Sequence, residues 1–314
     1  MVITSRRYEG RQDLERIEAA ITASWLAARP VVGMTVGDLE WWIGQVEPGG
    51  DIATYMRTWL VDDEVVGFSW FDPPNSMDWH IRHDRWCDEL MTALVDSLAA
   101  EAAAWRPPLA TTVVPPTEIV TFAMDADKRT AAILRRLGWR PVEQALLSHW
   151  STRLPRPIPE PVLPPGYRIR TLRGRHEITA RVDVHRAAFA PNRMTAEKYE
   201  ALVDMPHYAF DRDFVVEAPD GTLAAFTICW WDPVARVGEF EPVGTHPDHR
   251  RLGLGRAILH AGLRCFRDLG ARDVLVFSGV ANTASEALYA DAGFERLTYH
   301  RRWVRPLDAD TMRP

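Results

Sequence analysis

Cysteine is scarce in this chain. Cys87, Cys229 and Cys265 are the only three in 314 residues, and they lie far apart. A scattered, odd set excludes a disulfide framework and gives no zinc spacing, so no metal is expected. No run of about 18 apolar residues occurs, which excludes a membrane-spanning helix. The stretch from Met1 to Gly10 is polar, carries Arg6 and Arg7, and leads into no apolar region. It does not read as a secretory signal, and a cytoplasmic location is expected. Positive charge is also wanting. Residues 1–155 hold 15 Lys+Arg against 22 Asp+Glu, 15 − 22 = −7, and the remainder holds 22 against 21, or +1. Neither half is basic enough to bind nucleic acid. Glycine is absent between Gly67 and Gly138, so a glycine-rich phosphate loop cannot lie there.

What is present is ordinary globular composition, 46% hydrophobic and 25% charged, at a length that suits two domains. Ten of the thirteen tryptophans fall in residues 1–155, where they are expected to fill a core, with one or two left for a cleft. Prolines stand at 155, 157, 159, 161, 164 and 165. Such density opposes helix and sheet pairing and favours an extended connector. The expected division is therefore a first domain over 1–155, a linker over 156–165 and a second domain over 166–314.

Periodicity in the second half predicts the order β-α-α-β-β-β-α-β-α-β. Its strands are Tyr167–Leu172, Phe214–Ala218, Leu223–Trp231, Gly238–Thr245, Asp273–Phe277 and Leu297–Val304. Its main helices are His176–Phe189, Met194–Val203, Leu254–Leu269 and Thr283–Ala292. The first half repeats the order more loosely, from a helix at Asp13–Ala28 through a strand at Ala110–Val114 to a strand at Val142–Trp150. An offset of 155 lays Gly138-Trp139 on Gly293-Phe294, which suggests a duplicated unit.

The loop Arg250-Arg251-Leu252-Gly253-Leu254-Gly255 joins a strand to a helix. Backbone N–H groups closed by a helix N-terminus bind phosphate-rich ligands, and a Cβ at either glycine would obstruct the ligand or the loop's dihedrals. About thirty residues on comes Asn282-x-x-Ser285-x-x-Leu288-Tyr289-x-x-x-Gly293-Phe294. Together the two motifs resemble the signature of the GNAT superfamily of acyl-CoA-dependent N-acyltransferases: Arg/Gln-x-x-Gly-x-Gly/Ala, then Asn-x-x-Ala-x-x-Leu-Tyr-x-x-x-Gly-Phe. Ser285 in place of Ala is the departure. The resemblance covers about 55 residues in motif and roughly 160–305 in element order.

The resemblance implies an α/β fold with a mixed sheet: two tandem GNAT-like domains, each a central, mostly antiparallel sheet flanked by helices. The second domain is expected to bind acetyl-CoA. Strand four, 238–245, would part from strand five, and Val243, Gly244 and Thr245 would pair with the pantetheine arm like a missing strand. Pro242, without an N–H, suits the point where pairing stops. Arg250, Arg251, Leu252, Gly253, Leu254, Gly255 and Arg256 would hold the pyrophosphate. Asn282 and Ser285 would hold the pantetheine or its loop, although Asn282 also reads as a helix N-cap. Tyr289 would protonate the leaving thiolate, and the Val243 or Gly244 N–H would polarise the thioester carbonyl.

Glu239 and Glu241, two apart on one strand face, are the candidates for a general base; either could instead bind a cationic acceptor or face solvent. His246, Trp230, Trp231, Phe189 and Tyr208 are further candidates near the acceptor. The first domain lacks the loop: Asp88 and Glu89 stand where a pyrophosphate would bind, and Leu134 and Asp127 replace Tyr289 and Asn282 at the offset of 155. A degenerate domain followed by an active one is also similar to the layout of the mycothiol synthase family. The expected activity is direct transfer of acetyl to a primary amine on a small molecule. A protein lysine or N-terminal acetyltransferase and a non-catalytic CoA sensor or scaffold remain open, as does pairing into a homodimer.

Overall fold

The computed structural model describes residues 1–106 and 116–307. The strand expected at Ala110–Val114 lies outside them. The first half runs β1 (Ile3–Arg7), α1 (Arg11–Ala28), α2 (Val36–Gln45), β2 (Met56–Val61), β3 (Glu64–Asp72), β4 (Ser76–Ile81), α3 (Asp88–Ala104), β5 (Glu118–Met124), α4 (Lys128–Arg136) and β6 (Arg140–Arg153). The second runs β7 (Arg168–Thr171), α5 (Ile178–Ala188), α6 (Ala196–Val203), β8 (Asp213–Glu217), β9 (Leu223–Asp232), β10 (Val237–Thr245), α7 (Leu254–Leu269), β11 (Asp273–Gly279), α8 (Thr283–Asp291) and β12 (Glu295–Pro306). Among these elements the order of the first half is that of the second. The strand β1 was not anticipated, because five residues with two arginines carry little alternation; it is held by antiparallel pairing to β2.

The repeat shows in local geometry. Gly138 and Gly293, 155 apart, have φ of 82° and 85°, the left-handed conformation that ends a helix. Asp127 caps α4 by accepting from the Thr130 N–H at 3.1 Å, as Asn282 caps α8 from the Ser285 N–H at 3.2 Å.

The chain divides into two compact units, but not by one cut at the prolines. Unit 1 is Met1–Gly33, Asp51–Ser148 and the chain from Thr298; unit 2 is Met34–Gly50 with His149–Leu297. Two physical causes move the boundary. The last strand of each half joins the sheet of the other half: β12 pairs antiparallel with β5, Trp303 opposite Thr121, and β6 neighbours β11. In addition, α2 packs on α6, β9 and β10. The proline-rich stretch forms no helix or strand, as expected, yet it is not a free tether. Leu154 and Ile158 are buried in the core of unit 2 with Phe240, Leu263 and Phe294.

Within unit 2, β7 to β10 are antiparallel neighbours and β10 pairs parallel with β11. Unit 1 has the same arrangement, with parallel pairing between β4 and β5 and a core that includes Trp59, Trp139 and Trp303. In unit 2, α7 buries Leu254, Ile258, Leu259, Leu263 and Phe266 and ends at Gly270, whose φ is 83°. The helix lies close to the sheet at Gly262, where an added Cβ would stand 2.2 Å from the Phe240 ring and 2.9 Å from Cys229 Sγ. Gly262→Ala is expected to cost about 1–3 kcal/mol by overpacking. A urea unfolding midpoint lowered at unchanged slope is the confirming result.

Candidate active site

All the residues that follow belong to unit 2. Parallel pairing of β10 with β11 covers Val237–Phe240 against Asp273–Val276 and then stops, while β10 continues to Thr245 along β9. The β9 register is irregular between Phe240 and Val243, and Pro242, lacking a donor, sits inside that irregularity. A cleft of about 240 Å³ opens where the two strands part. Its walls are Glu241, Pro242 and Val243 from β10, Phe277, Ser278 and Gly279 from β11, Asn282, Ser285 and Tyr289 from the α8 region, with Phe189 and Phe240. Unpaired backbone on a strand edge is what an extended amide-bearing arm would bond.

The expected phosphate loop leads from β10 into α7. Arg251 and Gly253 both take left-handed backbone, φ 65° and 78°. A Cβ on Gly253 would meet nothing within 4 Å, so glycine is favoured there by dihedral and not by space. Gly255 is the reverse case, with ordinary backbone but an added Cβ 3.1 Å from Leu288. No side chain caps the start of α7. Its first N–H groups therefore lack intrahelical acceptors and carry the positive end of a sixteen-residue helix. Arg250, Arg251 and Leu252 are exposed and Leu254 is buried. Arg250 donates to the Ala188 carbonyl at 3.1 Å, and Arg256 pairs with Asp291 of α8 at 2.9 Å.

Tyr289 lines the cleft but is only 4% exposed. Burial, and then the neighbouring Glu241 charge, push its phenol well above the usual tyrosine range. It is thus a protonated donor at every physiological pH. Asn282 and Ser285 line the cleft while capping α8. Gly244 is buried under Phe226, whose ring an added Cβ would reach at 2.2 Å.

The two glutamates share a side of β10 but not a surroundings. Glu241 lines the cleft, whereas Glu239 is 1% exposed and is not among the cleft residues. Thr35 Oγ1, just before α2, donates a short hydrogen bond to Glu239 Oε2. Asp38, in the first turn of α2, completes a group with Glu239 and Glu241 in which one carboxylate oxygen of each lies within 4.8 Å of the others. Neither Thr35 nor Asp38 was anticipated. Thr35-x-x-Asp38 does form a capping box: the Asp38 N–H donates to Thr35 Oγ1 at 3.2 Å and the Thr35 N–H to Asp38 Oδ2 at 2.7 Å. That local pattern predicts a helix start but says nothing of a partner two hundred residues on.

Three carboxyls at such range, Asp38 and Glu239 buried and Glu241 half-buried, resist ionising together. Burial, followed by the charge of Asp38, raises Glu239 and Glu241 well above the carboxylate range. Burial raises Asp38 to about 6, even against the opposing hydrogen bonds it accepts from the Thr35 N–H and from the two glutamates. Folded carboxyls with raised pKa bind more protons than unfolded ones, so their contribution to stability is complete below about pH 4 and is lost as pH rises through the folded values. Glu239→Gln removes one such group while keeping an acceptor for Thr35. The variant is expected to melt higher than the parent at pH 8, with the difference shrinking at pH 4.5. Thermal scans at the two pH values test this; a lower melting point at pH 8 contradicts it.

Of the other residues anticipated near the acceptor, Phe189 alone reaches the cleft, 39% exposed. Trp230 and Tyr208 pack in one core cluster and Trp231 in another. His246 caps the short turn after β10 by accepting from the Asp248 N–H. Cys229 is buried, and neither it nor Cys265 lines the cleft.

Residues 182–294 match the profile of the acetyltransferase (GNAT) family. Over that stretch, about a third of its length, the chain is similar to GNAT acetyltransferases. It is 31% identical over 192 residues to a mycothiol acetyltransferase of Sanguibacter keddieii, covering 58% of this chain and 59% of that protein. It is 33% identical over 163 residues to one of Thermobispora bispora, covering 48% and 54%. The matches thus span between half and three fifths of those curated relatives. Among solved structures, a GCN5-related N-acetyltransferase of Sphaerobacter thermophilus superposes with a TM-score of 0.65 at 17% identity, over 97% of this chain and 96% of the other. A tandem GNAT protein from the clavulanic acid biosynthesis pathway gives 0.65 at 15%, over 98% and 99%. At such identities these likenesses establish the fold, a mixed sheet flanked by helices, and no more.

No helix among the described residues is long and apolar enough to cross a membrane.

Proposed function

We propose that this protein is an acetyl-CoA-dependent N-acetyltransferase that moves acetyl directly to a primary amine of a small molecule. The observation that carries the reading is the placement of Tyr289 and Glu241 on walls of one cleft at the parting of β10 and β11. CoA would lay its pyrophosphate on the uncapped start of α7, with Arg250 to Arg256 around it, and its pantetheine arm along Val243 to Thr245. The amine nitrogen attacks the thioester carbon, and the C–N bond forms as the C–S bond breaks. The Val243 or Gly244 N–H receives the developing oxyanion. Glu241, with Glu239 behind it, serves the departing amine proton, and Tyr289 protonates the thiolate. Direct transfer is favoured because no cysteine lines the cleft to carry the acyl group.

The test is release of free CoA thiol from acetyl-CoA across a panel of amines. The panel includes the acceptor of the mycothiol acetyltransferases, a lysine peptide and a free N-terminal peptide. Turnover with a small amine and little with peptides supports the reading; turnover confined to peptides replaces it with protein acetylation. CoA binding without turnover on any acceptor leaves a sensor or scaffold.

A further inference from the structure

The carboxyl cluster reaches further than a choice between two glutamates. Asp38 comes from a helix in the first half of the sequence, yet α2 packs directly on β10. It is 7% exposed, and one of its oxygens is committed to the Thr35 N–H. Glu239 Oε1 and Glu241 Oε2 are both buried and meet no nitrogen or hydroxyl partner. Two buried carboxylate oxygens left so would be costly. The other two carboxyls of the group lie within 4.8 Å, and a proton shared among them would satisfy these oxygens. Glu241 belongs to both environments, since it lines the cleft and also reaches Asp38.

We propose that Asp38 is the terminal proton acceptor of a carboxyl relay: Glu241 takes the proton of the attacking amine on one oxygen and passes its own proton to Asp38. The proposal rests on the acetyltransferase reading. The balance closes. The cluster starts with one negative charge, held on Asp38 by the Thr35 N–H, and ends neutral with the amine's proton added. The thiolate takes the proton of Tyr289, and the phenolate and Asp38 then return to their starting states by exchange with water. Asp38 touches no reacting atom, so it is a positioning residue that acts through Glu241. Glu239, anchored by Thr35, fixes the cluster's third side.

Other titratable or charged groups on the elements packed around α2 and β10 do not replace it. Glu40 of α2 accepts from His207 Nδ1 at 2.7 Å, and Lys198 of α6 pairs with Glu47 at 2.7 Å. On α5, His185 is pushed down to about 3 by burial and then by Arg181, and Arg181 is paired with Asp213 at 3.1 Å. From β9, Asp232 accepts from the Val234 N–H at 2.9 Å. Tyr289 of α8 lines the same cleft as Glu241 and has its own role.

Two measurements on the full chain separate this proposal from the reading it rests on. The first needs no turnover: a carbon-13 titration of the glutamate carboxyls in parent and Asp38→Asn protein. Asparagine keeps an acceptor for the Thr35 N–H but removes the charge. Both glutamates are expected to titrate at lower pH in the variant. A Glu241 midpoint that does not move overturns the relay whatever the activity. The second is the pH profile of thiol release. Asp38→Asn is expected to lower kcat about 100-fold, the size of a lost proton-transfer step, with KM for acetyl-CoA within about twofold and the profile displaced; Asp38→Glu restores part of the rate. Unchanged rate and profile in Asp38→Asn would falsify the proposal. Coupled carboxyls in a parent protein that turns over no amine defeat the acetyltransferase reading, and the relay's role with it. If Asp38→Asn does not fold, Asp38→Glu serves alone: a displaced profile at near-parent melting temperature supports the relay, and the parent profile overturns it.

Discussion

Replacing Tyr289 with Phe should lower turnover of acetyl-CoA by about 100-fold or more while CoA affinity stays within about twofold. The magnitude is that of a general acid removed from its transition state. The asymmetry between rate and affinity is the informative part. The phenol oxygen is lost but the ring remains against Phe294, 6.2 Å away in edge contact, so the cleft keeps its shape. Because burial holds the phenol protonated, the parent protein should show no loss of rate from Tyr289 ionisation below about pH 10. Rates of thiol release across pH 6–9.5, together with calorimetric CoA titrations of both proteins, check the expectation. Equal rates in parent and variant would leave the departing thiolate without its donor.

Gly255→Asp should weaken CoA binding about 100-fold. One cause is charge: a carboxylate about 5 Å from a pyrophosphate costs about 3 kcal/mol at an effective dielectric near 20, which is about two decades in Kd. The second is space, since the new side chain begins 3.1 Å from Leu288, the residue before Tyr289. Gly255→Ala separates the two. It keeps the crowding without the charge, and its expected loss is only a few-fold. The affinity of the aspartate variant should recover in part at high salt, because screening acts on the charge and not on the contact.

Much of this site was legible in the sequence because its signals are local. A loop with left-handed backbone at Gly253 favours a glycine there, and the capping of α8 by Asn282 follows from the four positions Asn282 to Ser285. Tyr289 and the parting of β10 from β11 followed from resemblance and from Pro242, which cannot donate to a ladder. What was not legible is long-range. Thr35 and Glu239 meet across 204 positions, and nothing in Thr35-x-x-Asp38 distinguishes a capping box that also serves a distant strand from one that only starts a helix. The exchange of β6 and β12 was hidden for the same reason. Alternation identifies a strand but does not name its neighbour. Trp230 and Tyr208 read as cleft aromatics because amphipathic rings serve cores and clefts alike; here the core took them.

The most direct measurement is the position of CoA in a crystal of its complex with this protein. The account predicts pyrophosphate oxygens on the N–H groups at the start of α7 and the sulfur within hydrogen-bonding reach of the Tyr289 hydroxyl. A cofactor bound elsewhere, or a sulfur remote from that phenol with the pyrophosphate in place, would contradict it.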